Sequence, residues 1–236
     1  MIGRCGVAVV AVSLLLAACN GEGPGGGAGN SNYAGSQAPT SSVAPSAGPS
    51  AGPSAPTFAP ISLSGKGDKV PKFTIPADAP AIALISSKGA GNFSIESLAA
   101  NGSQNELLVN TIGAYSGTVL FDIGAGEHSV AFKVGATGIW SITIKPITSG
   151  RAWDTTTKLT GKGDDVVLLS PPAAGLTAIS VVGSGKDNFI IQSYGLDGTS
   201  TILVNEIGSY SGVVQLPDQS ELLQVNADGA WSVDEQ

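Results

Sequence analysis

The sequence predicts an all-β chain: two tandem β-sandwich domains of jelly-roll kind behind a disordered linker. Three observations carry that prediction. Twelve residues are written twice, LVNTIGAYSGTV at 108–119 and LVNEIGSYSGVV at 203–214, identical at nine positions, so a structural unit is duplicated. Apolar residues alternate, as in VAFKV from Val130 to Val134 and WSITI from Trp140 to Ile144, which places Val130, Phe132 and Val134, and Trp140, Ile142 and Ile144, on single faces of strands. Asn-Gly and Asp-Gly pairs at Asn101, Asp197 and Asp228 punctuate these runs as hairpin turns do, and no stretch of the folded region has helical spacing.

The chain opens with a different kind of element. Residues 1–18, MIGRCGVAVVAVSLLLAA, place one basic residue, Arg4, ahead of an apolar run and small residues, the layout of a secretory signal. The run is short for a membrane span. It ends on Leu16, Ala17 and Ala18 before Cys19, which resembles the lipobox of bacterial lipoproteins. That resemblance implies cleavage before Cys19, acylation of its thiol, and a mature chain held by its lipid on the outer face of the cytoplasmic membrane. The only other cysteine, Cys5, falls inside the signal, so the mature chain has no partner with which Cys19 could form an internal disulfide. Two or more acyl chains give stable anchoring, each buried methylene contributing about 0.8 kcal/mol.

Residues 19–57 are rich in Gly, Pro, Ser and Ala, first as Gly runs and then as repeats of Ala-Gly-Pro-Ser. Such a composition buries too little apolar surface to offset chain entropy and predicts a disordered tether that lifts the folded part off the membrane.

The folded part divides into a first repeat at 58–150 and a second at 151–236. LSGKGDKV from Leu63 matches LTGKGDDV from Leu159, GNFSIES from Gly91 matches DNFIIQS from Asp187, and ATGIWSITI from Ala136 answers ADGAWSVDE from Ala227. The offset drifts between motifs, which puts the length changes in loops. In the twelve-residue match, LVN ends one strand, IGxYSG makes a corner, and TV or VV begins the next. The two glycines are expected to supply the turn angles, and the tyrosine to pack beneath the corner and offer its hydroxyl to backbone.

Composition excludes some functions. The formal net charge of -7 opposes binding to nucleic acid or to anionic lipid. His128 is the only histidine, so a triad, a His-based metal site or a His general base would rest on one residue in a hairpin loop. No serine sits in a nucleophile elbow, and the GKGD turns at Gly65 and Gly161 lack the spacing of a phosphate loop, leaving Lys66 and Lys162 as turn residues. No catalytic residue and no cofactor are expected. Asp68, Asp164 and Asp165, beside the carbonyls of these turns, are the candidates for calcium, although no EF-hand or nonapeptide pattern surrounds them. Among the aromatics, Phe93, Tyr115 and Trp140 recur as Phe189, Tyr210 and Trp231; exposed, they would make a sugar-stacking platform, but Trp140 shares its face with core isoleucines. Trp153 and Tyr194 have no counterpart in the other repeat and are the candidates for interdomain packing or an exposed contact.

These motifs together, SGxGDxV, xNFxIxS, LLVNTIGxYxGTV and GxWxI behind a signal and a Pro/Gly/Ser linker, resemble uncharacterised exported lipoproteins of high-GC Gram-positive bacteria with tandem β-sandwich repeats. In looser outline they are similar to prepeptidase C-terminal and carbohydrate-binding sandwiches. The resemblance implies a cell-surface protein that binds envelope glycan or a protein partner without catalysis. A structural spacer of an envelope complex is the alternative, and an enzyme the third reading.

Overall fold

The computed structural model describes residues 56–76 and 79–236, and every strand expected from the alternation falls within them. The signal, Cys19 with its flank Leu16, Ala17 and Ala18, and nearly all of the tether lie outside the described residues. Among those described, the chain is all-β, with one 3-10 turn at Ile147–Ser149 and no α-helix. No helix of the described residues is long and apolar enough to cross a membrane.

In the first repeat the strands are β1 (Ile61–Lys66), β2 (Ala81–Ser87), β3 (Asn92–Leu98), β4 (Gln104–Ile112), β5 (Tyr115–Phe121), β6 (Ala131–Ala136) and β7 (Ile139–Pro146). They form two antiparallel sheets, β1-β7-β2-β5 and β4-β3-β6. The period-2 pattern explains the sandwich. Trp140, Ile142 and Ile144 of β7 are buried to within 1% of complete, as are Phe132 and Val134 of β6, and these faces meet in one core. Phe73, Phe121 and Phe132 pack edge-on or tilted in its centre.

The second repeat has β8 (Arg151–Trp153), β9 (Leu159–Lys162), β10 (Asp165–Leu169), β11 (Thr177–Tyr194), β12 (Ser200–Leu216), β13 (Leu222–Asn226) and β14 (Ala230–Glu235). Its pairing copies the first repeat: β9, β14, the first part of β11 and the last part of β12 correspond to β1, β7, β2 and β5, while the remaining halves of β11 and β12 with β13 correspond to β3, β4 and β6. Short strands alone were expected, yet β11 has 18 residues and β12 has 17. Where the first repeat breaks its strands at Lys88–Gly91, the second carries the ladder through with a register shift between Ser184 and Asn188, so one ribbon belongs to both sheets. β14 is shorter than β7, six residues against eight.

One strand is full in the second repeat and vestigial in the first. β10 pairs along β13, whereas the equivalent stretch of the first repeat makes only isolated bridges from Lys69 to Val134 and from Lys72 to Ala131. Pro71 lies between those bridges and has no N–H to give a ladder. β8, parallel to β10, extends this sheet further and has no counterpart among the described strands of the first repeat.

The described residues form one compact unit, and the repeats pack on each other. A third apolar cluster joins them: Ile82 and Leu120 from the outer face of the first repeat, Ile147 from the connection, and Val166 and Leu222 from the second repeat, all at most 3% exposed. Each fully buried aliphatic of this kind contributes roughly 1.5–3 kcal/mol, so five of them make separation of the repeats costly.

Candidate functional site

The repeated motifs build a recurring brace before they build any site. In each GKGD turn the first glycine leaves room for a tryptophan: a Cβ on Gly65 would stand 2.5 Å from the Trp140 ring, and one on Gly161 would collide with Trp231. The next glycine takes a positive φ, 67° at Gly67 and 73° at Gly163, and its carbonyl accepts the indole N–H at 2.9 Å in both copies. The aspartate then accepts a backbone N–H from the facing hairpin, Asp68 from Ala136 and Asp164 from Ala227, each at 2.9 Å. GKGD and the distant GxW or GAW are thus one tertiary unit.

These contacts engage at least one oxygen of each aspartate expected for calcium. Asp68 and Asp164 cap hairpins, and Asp165 pairs with Arg151 at 3.0 Å while accepting from its own Val166 N–H. Among the described residues no three His, Cys, Asp or Glu side chains converge as metal ligands. Trp153, expected in interdomain packing or as an exposed contact, is instead 3% exposed in the core of the second repeat, with its indole N–H donating to the Thr157 carbonyl at 2.7 Å. Tyr194 packs against the cluster between the repeats, and its hydroxyl lies 3.3 Å from Gln224 Oε1, so interdomain packing is its role. His128 is half-buried in the loop between β5 and β6 and makes no side-chain hydrogen bond to a described residue.

The corner differs from its sequence reading in two respects. Only its first glycine supplies a turn angle, with φ of 98° at Gly113 and 92° at Gly208. The second, Gly117 or Gly212, lies under the tyrosine two residues back, where a Cβ would press on the phenol oxygen. The tyrosine hydroxyl of the first repeat goes to a side chain rather than to backbone. Tyr115 donates to Asp164 Oδ2 at 2.6 Å, and Thr118 N–H donates to the Asp164 carbonyl at 3.0 Å, so the corner of one repeat grips the GKGD turn of the other. Burial raises the pKa of both groups; the Asp164 charge raises Tyr115 further, while hydrogen bonds from Tyr115 and Ala227 partly offset the rise at Asp164.

Beside this contact lies a groove about 990 Å³ in volume. Residues Leu108 to Thr111 of β4 and the corner at Ala114–Ser116 form its first wall. Asp187, Asn188 and Ile190 of β11, Ile207 of β12 and the Asn226–Asp228 hairpin form the second, with Lys162 to Asp164 between them. Three acidic residues, Asp164, Asp187 and Asp228, and one basic residue, Lys162, line it, and the charge of Lys186 also acts on Asp228. Asp228 accepts the Lys186 backbone N–H with both oxygens, at 3.0 and 2.9 Å, which holds its carboxyl below the ordinary range and therefore charged.

The sequence reading did not single out a set of exposed aliphatics. Leu107 and Ile112 of β4 are 54% and 81% exposed, and their equivalents Ile202 and Ile207 of β12 are 59% and 80% exposed. The signal was present in the repeated segment itself, where Ile112 and Ile207 follow the same Leu-Val-Asn.

No protein-family model matches the chain, and no curated protein matches its sequence. Among solved structures it is similar to the regulatory subunit of a cAMP-independent protein kinase A from Trypanosoma cruzi bound to guanosine, at 9% identity and a TM-score of 0.21, over 75% of this chain and 72% of that one. It is also similar to cAMP-bound PfPKA-R (141-441), at 7% identity and a TM-score of 0.19, over 75% of this chain and 71% of that one. Likeness at that level carries no argument about this chain.

Proposed function

We propose that this chain is a lipid-anchored cell-surface module that binds a partner protein without catalysis. The observation that carries the reading is the duplicated exposure of Leu107 with Ile202 and of Ile112 with Ile207, on strands at the open edges of both repeats. Large aliphatics held in water at equivalent places on two copies are what a protein contact uses, and two copies raise avidity when both engage one partner. Glycan binding through stacked rings finds less support, because Trp140, Trp153 and Trp231 are all at most 3% exposed. The lipobox-like sequence ending at Cys19 supports anchoring at the outer face of the cytoplasmic membrane.

The test is chemical crosslinking of the full chain in intact envelopes, followed by fractionation. An adduct that disappears on protease treatment of the envelope, and falls at least about tenfold when Leu107, Ile112, Ile202 and Ile207 are changed to Ser, is the expected result. Retention that survives the protease and the four substitutions would assign the surface to glycan, and no adduct at all would leave a spacer. In the same cells Cys19→Ala should shift the chain from the membrane to the aqueous fraction; a membrane-bound variant of unchanged mature mass would overturn the anchor.

A further inference from the structure

The first wall of the groove is the open edge of a sheet. β4 pairs with β3 and with no other described strand, and four successive residues, Leu108 to Thr111, border the groove. Successive side chains of a strand point to opposite faces, so four in a row border one cleft only when the edge of the strand faces it. Alternate N–H and C=O groups on such an edge have no partner within the sheet, which makes it a template for one more strand.

We propose that the groove takes an extended, basic segment of a partner protein, added as a strand along the free edge of β4. The inference rests on the protein-binding reading above and names the form in which the partner binds. Charge decides the kind of segment: Asp187 and Asp228 stand opposite β4, and Asp164 between the walls already accepts from Tyr115 and Ala227. The cations nearby are Lys162 in the lining and Lys186, whose charge acts on Asp228, so carboxylates outnumber ammonium groups three to two. In an added strand alternate side chains turn the same way, so basic residues at every second position would face that acidic wall. Ile207, 80% exposed and lining the groove, offers apolar contact. Strand addition of this kind takes affinity from main-chain hydrogen bonds and specificity from alternate side chains.

The probe is a ten-residue blocked peptide of alternating Lys and Val, titrated into the full chain in detergent micelles, with amide hydrogen exchange read on β4. Saturable binding is expected, with slower exchange confined to the 107–112 edge. Methylating alternate backbone nitrogens of the peptide, replacing its Lys by Glu, or changing Asp187 and Asp228 to Asn should each weaken binding by about tenfold or more. The proposal is overturned by an absence of saturable binding at millimolar peptide, by binding indifferent to N-methylation, or by protection that appears elsewhere. Displacement of the peptide by soluble cell-wall oligosaccharides, or protection of β4 on self-association without peptide, would give the groove to a glycan or to a second copy and would also overturn it. A crosslinked adduct that still depends on the four aliphatics, alongside a failed peptide titration, would leave the protein-binding reading standing and remove strand addition alone.

Discussion

The outer face of the sheet β1-β7-β2-β5 and the matching face of the second repeat are built on the same strands and meet different surroundings. In the first repeat Ile82 and Leu120 are 1% and 3% exposed, and with partly buried Leu84 they press on Val166, Leu168 and Leu222 of the second repeat. In the second repeat the same register places hold Ala178 and Ser180, both half-buried, and Gln215, which is exposed. The reciprocal surface behaves alike: Val166 is 1% exposed, while its equivalent Val70 is 56% exposed and Leu168 is replaced by Lys72. Residues that build each sandwich are shared; of those that join the sandwiches, Val166, Asp164 and Tyr115 recur in the other copy, whereas Ile82, Leu120 and Leu168 do not. The face that joins the repeats is apolar where they meet, and at the outer ends Leu120 and Leu168 give way to Gln215 and Lys72, as terminal units of repeat arrays require, although Val70 stays apolar.

The sharpest way to break that comparison is to write one face onto the other. Leu120→Gln removes a buried aliphatic and leaves an amide unpaired between the repeats, and should cost about 3 kcal/mol in chemical denaturation. Gln215→Leu, the same exchange in reverse on an exposed position, should change stability by less than about 0.5 kcal/mol. Equal effects would mean that the two faces are covered alike in solution and that the polar substitutions at the ends cap nothing.

The contrast also explains what could be read from sequence. Alternation exposed the strands, and the turns at Asn101 and Asp197 were legible because each side chain caps its own hairpin, bonding the N–H and hydroxyl of Ser103 or Thr199 two residues on. Trp140 was legible as core because its neighbours on the face are Ile142 and Ile144. Aligning the copies highlighted what they share, whereas part of the interface lies where they differ, at Ile82 against Ala178 and Leu120 against Gln215. A search for outward-facing positions that are apolar in one copy and polar in the other would have located it. The core place of Trp153 was hidden because its strand, β8, has no counterpart among the described residues of the first repeat, and the destination of the Tyr115 hydroxyl was hidden because Asp164 lies 49 residues away in the other copy. The continuity of β11 and β12 rests on backbone register rather than on residue type.

A smaller effect tests the corner. Tyr115→Phe deletes the bond to Asp164 Oδ2 and leaves that oxygen poorly solvated, which should cost about 1–3 kcal/mol. Tyr210 keeps the ring contact, 6.1 Å between centroids to Phe189 against 5.9 Å from Tyr115 to Phe93, but its hydroxyl has no hydrogen bond to a described residue. Tyr210→Phe should therefore lie within about 0.5 kcal/mol of the parent. A matching loss at Tyr210 would show that a second grip forms there, and would return the free end of the molecule to consideration as a contact.

The smallest effect concerns a group that only the first repeat has. Glu106 of β4 lies where the second repeat has Thr201, close enough to Tyr194 across the interface for its charge to raise the Tyr194 pKa. Burial, with the charges of Glu127 and Asp122, pushes Glu106 from 4.5 to about 7, against the N–H that Asp122 donates to it at 3.2 Å. The folded state therefore holds this proton where the unfolded chain has released it. That contribution to stability is complete below pH 4.5, falls as pH rises from 4.5 to about 7, and is flat above. With the side chain partly in water, the change should amount to less than about 1 kcal/mol, or about 2–4 °C in melting temperature. Glu106→Gln should flatten that fall between pH 4.5 and 7, while Thr201→Ala leaves it intact. An unchanged slope in the Gln variant would place the titration on another carboxylate and free Glu106 of its part in the interface.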